Sequence, residues 1–344
     1  MRILTIGGTG TISTAITALL ASRASAGLSS DEIWVLNRGN RMAELPQGVH
    51  QIVANAYDKD SLSKAVDGLE FDVVCFFIGF TVDQVAVVHD VFAGKIKQFV
   101  YISSASAYQK PPVGYLITEE TPLVNPYWEY SRNKIACEDY LMDKYRTEGF
   151  PVTVIRPSHT YCERSVPVGM HGADGSWQVL KRMIEGKPVI VHGDGSSLWT
   201  MTDSRDFAVA FCGLLGRPEA IGQAFHITSD ESIPWNQIYT EIAEALSSEL
   251  GRTITPVLHH VASDRIVQEA RAFGYNDMEG NLTGDKSNSV VFDNSKVKAL
   301  VPEFKAKISH KEGTLRAVKY ILAHPELRKE DPQFDLFCDH LAKL

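Results

Sequence analysis

The chain has 344 residues, 44% hydrophobic and 22% charged, the proportions of a folded globular protein of one large or two medium domains, which excludes a small disulfide scaffold and a disordered chain. Thirty-four Lys+Arg against 42 Asp+Glu leave a formal net charge of −8, which repels polyanions and argues against a nucleic-acid binder. Five cysteines form no CxxC pair and no zinc-type Cys/His spacing, and so read as reduced thiols of a cytoplasmic protein; Gly7, Gly8 and Gly10 break the N-terminal apolar run, and no run of about 18 apolar residues suggests a membrane span.

Residues 2–6 (RILTI) predict a first strand, followed by a helix on which Ile12, Ala15, Ile16, Leu19 and Leu20 share a face. Further strands are expected at about 33–37, 51–54, 72–77 and 98–103, with helices near 59–67 and 82–94 between them. A long helix over about 127–149 leads into a strand at 152–156. This alternation predicts an α/β fold, a Rossmann-type doubly wound parallel sheet of six strands whose ligands sit beyond the carboxyl ends. Past Pro157, glycines at 169, 172, 175, 193 and 195 break the pattern into a smaller, mixed region. Strands at 188–191 and 224–227 and helices near 204–216, 234–248, 262–273 and 311–323 are expected there, and 328–333 reads as a solvated connection. The expected division is a dinucleotide-binding domain over 1–165, to which 203–232 returns, and a substrate-binding region of 166–202 and 233–344.

Gly7-Gly8-Thr9-Gly10 follows the first strand and opens the first helix. Small residues at such a junction let the backbone approach a pyrophosphate, which the free N–H groups and positive end of the helix then hold, with Thr11 and Ile12 at its start. At the end of the second strand stand Asn37 and Arg38. An aspartate there would repel a 2′-phosphate, whereas a guanidinium pairs with one, so NADP is the expected cofactor and NAD the alternative.

Tyr130 and Lys134 are one helical turn apart on the long helix. A phenol of ordinary pKa near 10 needs about 4 kcal/mol of preferential phenolate stabilisation to titrate near neutrality, and an ammonium on the same face supplies part of it. Ser104, after the fifth strand, offers a hydroxyl to orient a substrate oxygen. Tyr140 and Lys144 repeat the spacing, but ten residues rotate Tyr140 about 80° from Tyr130, so the two do not face one site.

Gly7-x-x-Gly10-x-x-Ser13, Ser104, Tyr130 with Asn133-Lys134, Arg156-Pro157-Ser158, Gly193-Asp194-Gly195 and Asp206 together make the chain resemble an extended, atypical short-chain dehydrogenase/reductase of the NAD-dependent epimerase/dehydratase family. The resemblance implies a nicotinamide dinucleotide held also by Asn55 and Ala56 after the third strand, Phe77 and Gly79 after the fourth, Ser103, Tyr130, Lys134 and Pro157. It implies Tyr130 as general acid/base, Lys134 as its tuner and ribose ligand, and Ser104 as substrate-orienting hydroxyl, with Ser106 assisting. Ser13 stands where the loop usually has a third glycine. Ala105 and Ser106 replace the acidic pair of nucleotide-sugar dehydratases, and Trp199 replaces an arginine that grips the substrate diphosphate. The expected substrate is therefore a less charged sugar or polyol, with Trp177 and Trp199 as stacking surfaces near His171. Hydride transfer or epimerisation at a hydroxyl carbon is the expected reaction, with no metal. The competing reading is a non-catalytic dinucleotide-binding regulator or an RNA-associated protein of the same fold, which predicts loss of the tyrosine and lysine or a basic face. The helices near 82–94 and 127–149 offer a homodimer interface of the kind the resemblance implies.

Overall fold

A computed structural model describes residues 1–39 and 45–344. Its central sheet has seven parallel strands: β1 (Arg2–Ile6), β2 (Glu32–Asn37), β3 (Val49–Val53), β4 (Val73–Phe76), β5 (Gln98–Ile102), β6 (Val152–Pro157) and β7 (Gln223–Ile227). Their spatial order is β7-β6-β5-β4-β1-β2-β3, so the winding reverses between β1 and β4 and opens a crevice there. The seventh strand, β7, comes from beyond the first six and pairs with β6 from Gln223 opposite Thr153 to Ile227 opposite Pro157.

Helices cover both faces because the strands are apolar on both. Ile3, Ile33, Val73, Cys75, Val100 and Ile155 point to one side, where α1 (Ser13–Ser25) and α6 (Ser204–Leu214) pack through Ile16, Leu20, Phe207 and Phe211. Leu4, Ile6, Leu36, Val74, Phe76 and Phe99 point to the other. There α2 (Lys59–Ala65), α3 (Val82–Phe92) and α4 (Glu129–Glu148) contribute Leu62, Val85, Val88, Cys137 and Leu141.

The returning segment is fixed by polar contacts as well as apolar ones. Buried Gln98 donates to Thr153 Oγ1 (3.0 Å) and to the Leu214 carbonyl (3.1 Å), and its own carbonyl oxygen accepts from Gly216 N (2.7 Å). Thr153 in turn donates to the Ala220 carbonyl (2.9 Å). The helix Ser295–Leu300, expected in the substrate-binding region, instead lies against α6 and β7, and Val297, Val301 and Phe304 enter the apolar layer on that face of the sheet.

The rest of the C-terminal half forms a separate apolar body around α5 (Trp177–Glu185), α7 (Trp235–Leu250) and α8 (Ser263–Ala270). Short strands of two to five residues pair within it, among them Pro188–His192 with Val257–Val261. Two other small pairs, His159–Tyr161 with Met201–Asp203 and Leu116–Ile117 with Val291–Phe292, lace this body to the loops after β5 and β6. The connection at 328–333 is not wholly solvated: Asp331 is buried and its carboxylate caps the helix Pro332–Leu341 by accepting from Phe334 N. All five cysteines are buried free thiols, and no helix among the described residues is long and apolar enough to cross a membrane.

Candidate active site

The loop after β1 turns at Gly7, whose φ of +86° and whose distance to Ile78 (an added Cβ would sit 2.7 Å from its Cγ2) admit no side chain. Ser13 does more than stand in for a glycine. Its hydroxyl donates to the Gly7 carbonyl (2.7 Å) and accepts from Gly10 N (2.8 Å), stapling the loop to the start of α1. Thr11 is exposed and Ile12 is the N-cap residue, so both precede the first-turn N–H groups that no helical carbonyl accepts.

Beside this loop lies a cavity of about 290 Å³ lined by Gly7, Gly10, Asn37, Arg38, Asn55 and Ala56 of the expected set. Asn37 Oδ1 accepts from Gly39 N (2.9 Å), while its buried Nδ2 has no partner among the described residues. Arg38 is exposed at the mouth. Asn55 is held through Ser61 Oγ (3.1 Å) and through Tyr57 N, which its Oδ1 accepts (3.2 Å). Tyr57, which no motif singles out, lines the same cavity and donates from its hydroxyl to the Ile78 carbonyl (2.7 Å), joining this bay to the loop after β4. Burial raises the Tyr57 phenol above its ordinary value, with the Arg38 charge pulling it down.

The carboxyl ends of β4 and β5 continue the line. Phe77 packs its ring against Phe211 (5.5 Å between centroids), so its backbone rather than its side chain faces the crevice. Gly79 passes so close to Phe76 that an added Cβ would lie 2.6 Å from the ring. Ser103 donates its backbone N–H to the Ile155 carbonyl (2.7 Å) and keeps a buried hydroxyl without a partner among the described residues. The unpaired Asn37 amide and Ser103 hydroxyl lie at the ends of β2 and β5, on either side of the glycine loop. Two buried polar atoms left unmatched along one crevice fit a polar ligand with oxygens at both ends, as a dinucleotide has.

Tyr130 occupies the first turn of α4, and Lys134 follows one turn on. The Lys134 ammonium is buried and donates to the carbonyls of Gly79 and Ile102, both at 2.7 Å. It lies over Phe80 (4.9 Å) and Tyr101 (5.1 Å), and 5.7 Å from the centre of the Tyr130 ring. Burial pushes its pKa down to about 8. Burial raises the Tyr130 phenol, the Ser104 hydroxyl opposes the rise and the Asp285 charge adds to it. The stabilisation of a phenolate expected from the lysine therefore does not come from direct contact; the two backbone carbonyls hold the ammonium. Tyr140 points elsewhere, its hydroxyl 3.2 Å from His89 Nδ1 in the helical layer.

Ser104 begins the one-turn helix Ala105–Ala107. Its hydroxyl lies 2.8 Å from that of Ser106, which lies 2.7 Å from that of Ser131. Ser106 is thus a support for Ser104. A second cavity, of about 260 Å³, opens past Ser104, Ser106, Tyr130 and Pro157. Trp199 lines it, stacked on Trp235 (5.5 Å), and donates its indole N–H to His159 Nδ1 (3.2 Å). That bond requires an unprotonated Nδ1, in keeping with burial pushing His159 down to about 3. His171 also reaches the cavity. Trp177 does not: it starts α5, packs on the apolar body and lies under the Arg328 guanidinium at 5.8 Å, so its placement as a substrate surface is corrected. Packing took it because α5 needs an apolar anchor at its first turn. Lys110, Asp285 and Lys286 line the cavity as well, and no sequence motif marks them. Among the described residues no group of three or more His, Cys, Asp or Glu is placed to hold a metal ion.

A profile of the NAD dependent epimerase/dehydratase family matches residues 3–228. The chain is similar to 2'-dehydrokanamycin reductase of Streptomyces kanamyceticus, 26% identical over 258 residues that span 75% of this chain and 69% of that protein. It is also similar to the chloroplast stem-loop binding protein of 41 kDa b of Arabidopsis thaliana, 22% identical over 249 residues, 72% of this chain and 61% of that one. Among solved structures, dTDP-glucose 4,6-dehydratase of Bacillus anthracis in complex with NAD superposes with a TM-score of 0.71 at 17% identity, covering 95% of this chain and 98% of that one. The shared fold is an α/β Rossmann-type one.

Proposed function

We propose that this chain, which belongs to the NAD dependent epimerase/dehydratase family, exchanges a hydride between a nicotinamide dinucleotide and a hydroxyl-bearing carbon of a sugar or sugar-like ring. The carrying observation is the convergence at the end of β5 of Tyr130 and Ser104, which line the second cavity, and the buried Lys134, held by the Gly79 and Ile102 carbonyls. The dinucleotide, when bound, supplies or accepts the hydride. Gly7, Gly10, Thr11 and Ile12 would hold its diphosphate, Asn37, Arg38, Asn55 and Ala56 its adenosine half, and Phe77, Gly79, Ser103, Lys134 and Pro157 its nicotinamide half.

Ser104 accepts or donates a hydrogen bond at the substrate oxygen, its rotamer fixed by Ser106 and Ser131. Tyr130 moves the proton at that oxygen from its phenol. With Ala105 and Ser106 where an acidic pair would stand, elimination of water has no acid at those positions. Reduction of a ring ketone is the favoured direction, in line with the reductase among the relatives. The substrate cavity is of single-ring size at about 260 Å³, lies under Trp199, and no arginine lines it among the described residues, which favours a ring without a diphosphate. Arg38 beside Asn37 favours NADP(H), with NAD the alternative that the NAD complex of the structural neighbour represents.

The test follows nicotinamide absorbance with the full chain, both dinucleotides, and a panel of methyl glycosides, cyclic polyols, their keto forms and nucleotide sugars. Tyr130→Phe should lower kcat by about 10²–10⁴-fold while leaving dinucleotide affinity within twofold (about the error of such a measurement). Turnover unchanged by that substitution would return the non-catalytic, dinucleotide-binding reading.

A further inference from the structure

The substrate cavity is lined in part by Asp285 and Lys286 of Leu282–Lys286, a π-helical turn that continues the short helix Met278–Asn281. Such turns are uncommon and gather at functional sites. This one is fastened to the catalytic loop: buried Asn125 donates both amide hydrogens, one to the Ser106 carbonyl (2.8 Å) and one to the Gly284 carbonyl (2.7 Å). The next residue, Asp285, faces the cavity with Oδ1 3.6 Å from Lys110 Nζ. Lys110 is 4% exposed.

That separation is beyond hydrogen-bond range, and among the described residues neither the Asp285 carboxylate nor the Lys110 ammonium has a hydrogen-bond partner within the protein. Two opposite charges that line a half-open cavity as a loose ion pair, with no other hydrogen bond among the described residues, keep donors and acceptors free for a ligand. Burial pushes Lys110 down and Asp285 up from their ordinary values, the mark of charges short of solvation. Lys286, beside them, already donates to Asn281 Oδ1 (3.0 Å).

The pair is selective about what completes it. A carboxylate or phosphate would accept from Lys110 but meet Asp285 with like charge. An ammonium would donate to Asp285 but meet Lys110. A hydroxyl donates to one and accepts from the other. Tyr130, Lys110 and Asp285 line the same cavity of about 260 Å³, which puts this position within one ring of the oxygen that exchanges its proton, and the Asp285 charge acts on the Tyr130 phenol. The geometry points to Lys110 and Asp285 as a subsite for a second, free hydroxyl, which makes the substrate a neutral ring polyol or glycoside with a hydroxyl close to the carbon that exchanges hydride. This rests on the hydride-transfer reading and adds the substrate's second recognition point.

The experiment pairs each ring polyol or methyl glycoside of the panel with its monodeoxy, amino and carboxylate analogues at every ring position. A site built around a hydroxyl should favour the hydroxylated ring over one deoxy analogue by at least about 100-fold in kcat/KM, and reject the two charged analogues at that position. In Asp285→Ala and in Lys110→Met the ratio should fall to about tenfold or less. The ratio is internal to each protein, so a variant that folds poorly loses both rates and leaves it unchanged. Calorimetric binding of the same rings to dinucleotide-loaded Tyr130→Phe protein reads the preference without turnover. Hydroxyl-dependent binding with no turnover by the unaltered chain would remove the hydride-transfer reading and leave the subsite standing. Turnover with equal rates for hydroxylated and deoxy rings, tighter binding of a charged analogue, or no binding of any ring would overturn the subsite.

Discussion

Lys134 sits far from water, its ammonium enclosed among aromatic rings and satisfied by two carbonyls. Its folded pKa of about 8 lies below the ordinary 10.5, so folding disfavours its charged form. The unfolded chain binds the extra proton between those two values, and stability therefore rises with pH across that window. The full penalty, on the order of 3 kcal/mol, applies below about pH 8 and fades as pH approaches 10.5. Denaturant titrations of the unaltered chain and of Lys134→Met should show the former gaining on the latter as pH rises through this range. A difference that stays flat, or that shrinks the other way, would mean the ammonium is well solvated. The tyrosine, lysine and serine of this site are legible in sequence because one helix and one strand end carry them at fixed spacing. Lys110 and Asp285 are not, because their meeting depends on a contact between residues far apart in the chain. Trp177 shows the converse error, since an aromatic residue near a pocket in sequence is as easily used for packing.

At the scale of elements, most of the central sheet is legible because its strands are apolar runs alternating with helices of regular period, and the ends differ from expectation by only a residue or two; β3, of whose five residues only Ile52 is buried, follows β2 with no helix between them among the described residues. The two- and three-residue strands that lace the C-terminal body to the catalytic loops carry no period at all, and the π turn at Leu282–Lys286 has none to carry. Asn125 ties that turn to the catalytic loop. Asn125→Leu removes both donors and leaves the carbonyls of Ser106 and Gly284 unpaired in a buried place, at about 1–3 kcal/mol each. Hydrogen exchange should accelerate in 282–286 and in the loop after β5, while the strands β1 to β4 keep their protection. Uniform acceleration would mean that the substitution had only lowered global stability. The start of α1 has a parallel dependence: Ser13→Ala should weaken dinucleotide affinity, because Gly10 N and the Gly7 carbonyl lose their shared partner.

Over the whole molecule, the dinucleotide cavity and the substrate cavity are built from different parts of the chain. The first is lined by residues between Gly7 and Ile78. The second draws Lys110, His171, Trp199, Asp285 and Phe292 from loops and from the C-terminal body. Trp235 couples that body to the site. It is fully buried, stacks on Trp199 and donates its indole N–H to the Lys286 carbonyl (3.2 Å), so it supports both the stacking wall and the π turn. Trp235→Phe keeps an aromatic ring but deletes one of the three donors at that carbonyl, which His192 Nε2 (3.1 Å) and Ser197 Oγ (3.4 Å) also reach, a loss of about 0.5–1.5 kcal/mol. Because neither Trp235 nor its contacts touch the first cavity, dinucleotide affinity measured by fluorescence should stay within twofold (a change of about 0.4 kcal/mol). KM for the sugar-like substrate should rise about 10-fold or more, as a misplaced wall and a loosened turn reduce binding of ground and transition states alike. Equal weakening of dinucleotide and substrate would show instead that the two parts fold and bind as one cooperative unit, with α6, β7 and the Gln98 contacts carrying the strain across the sheet.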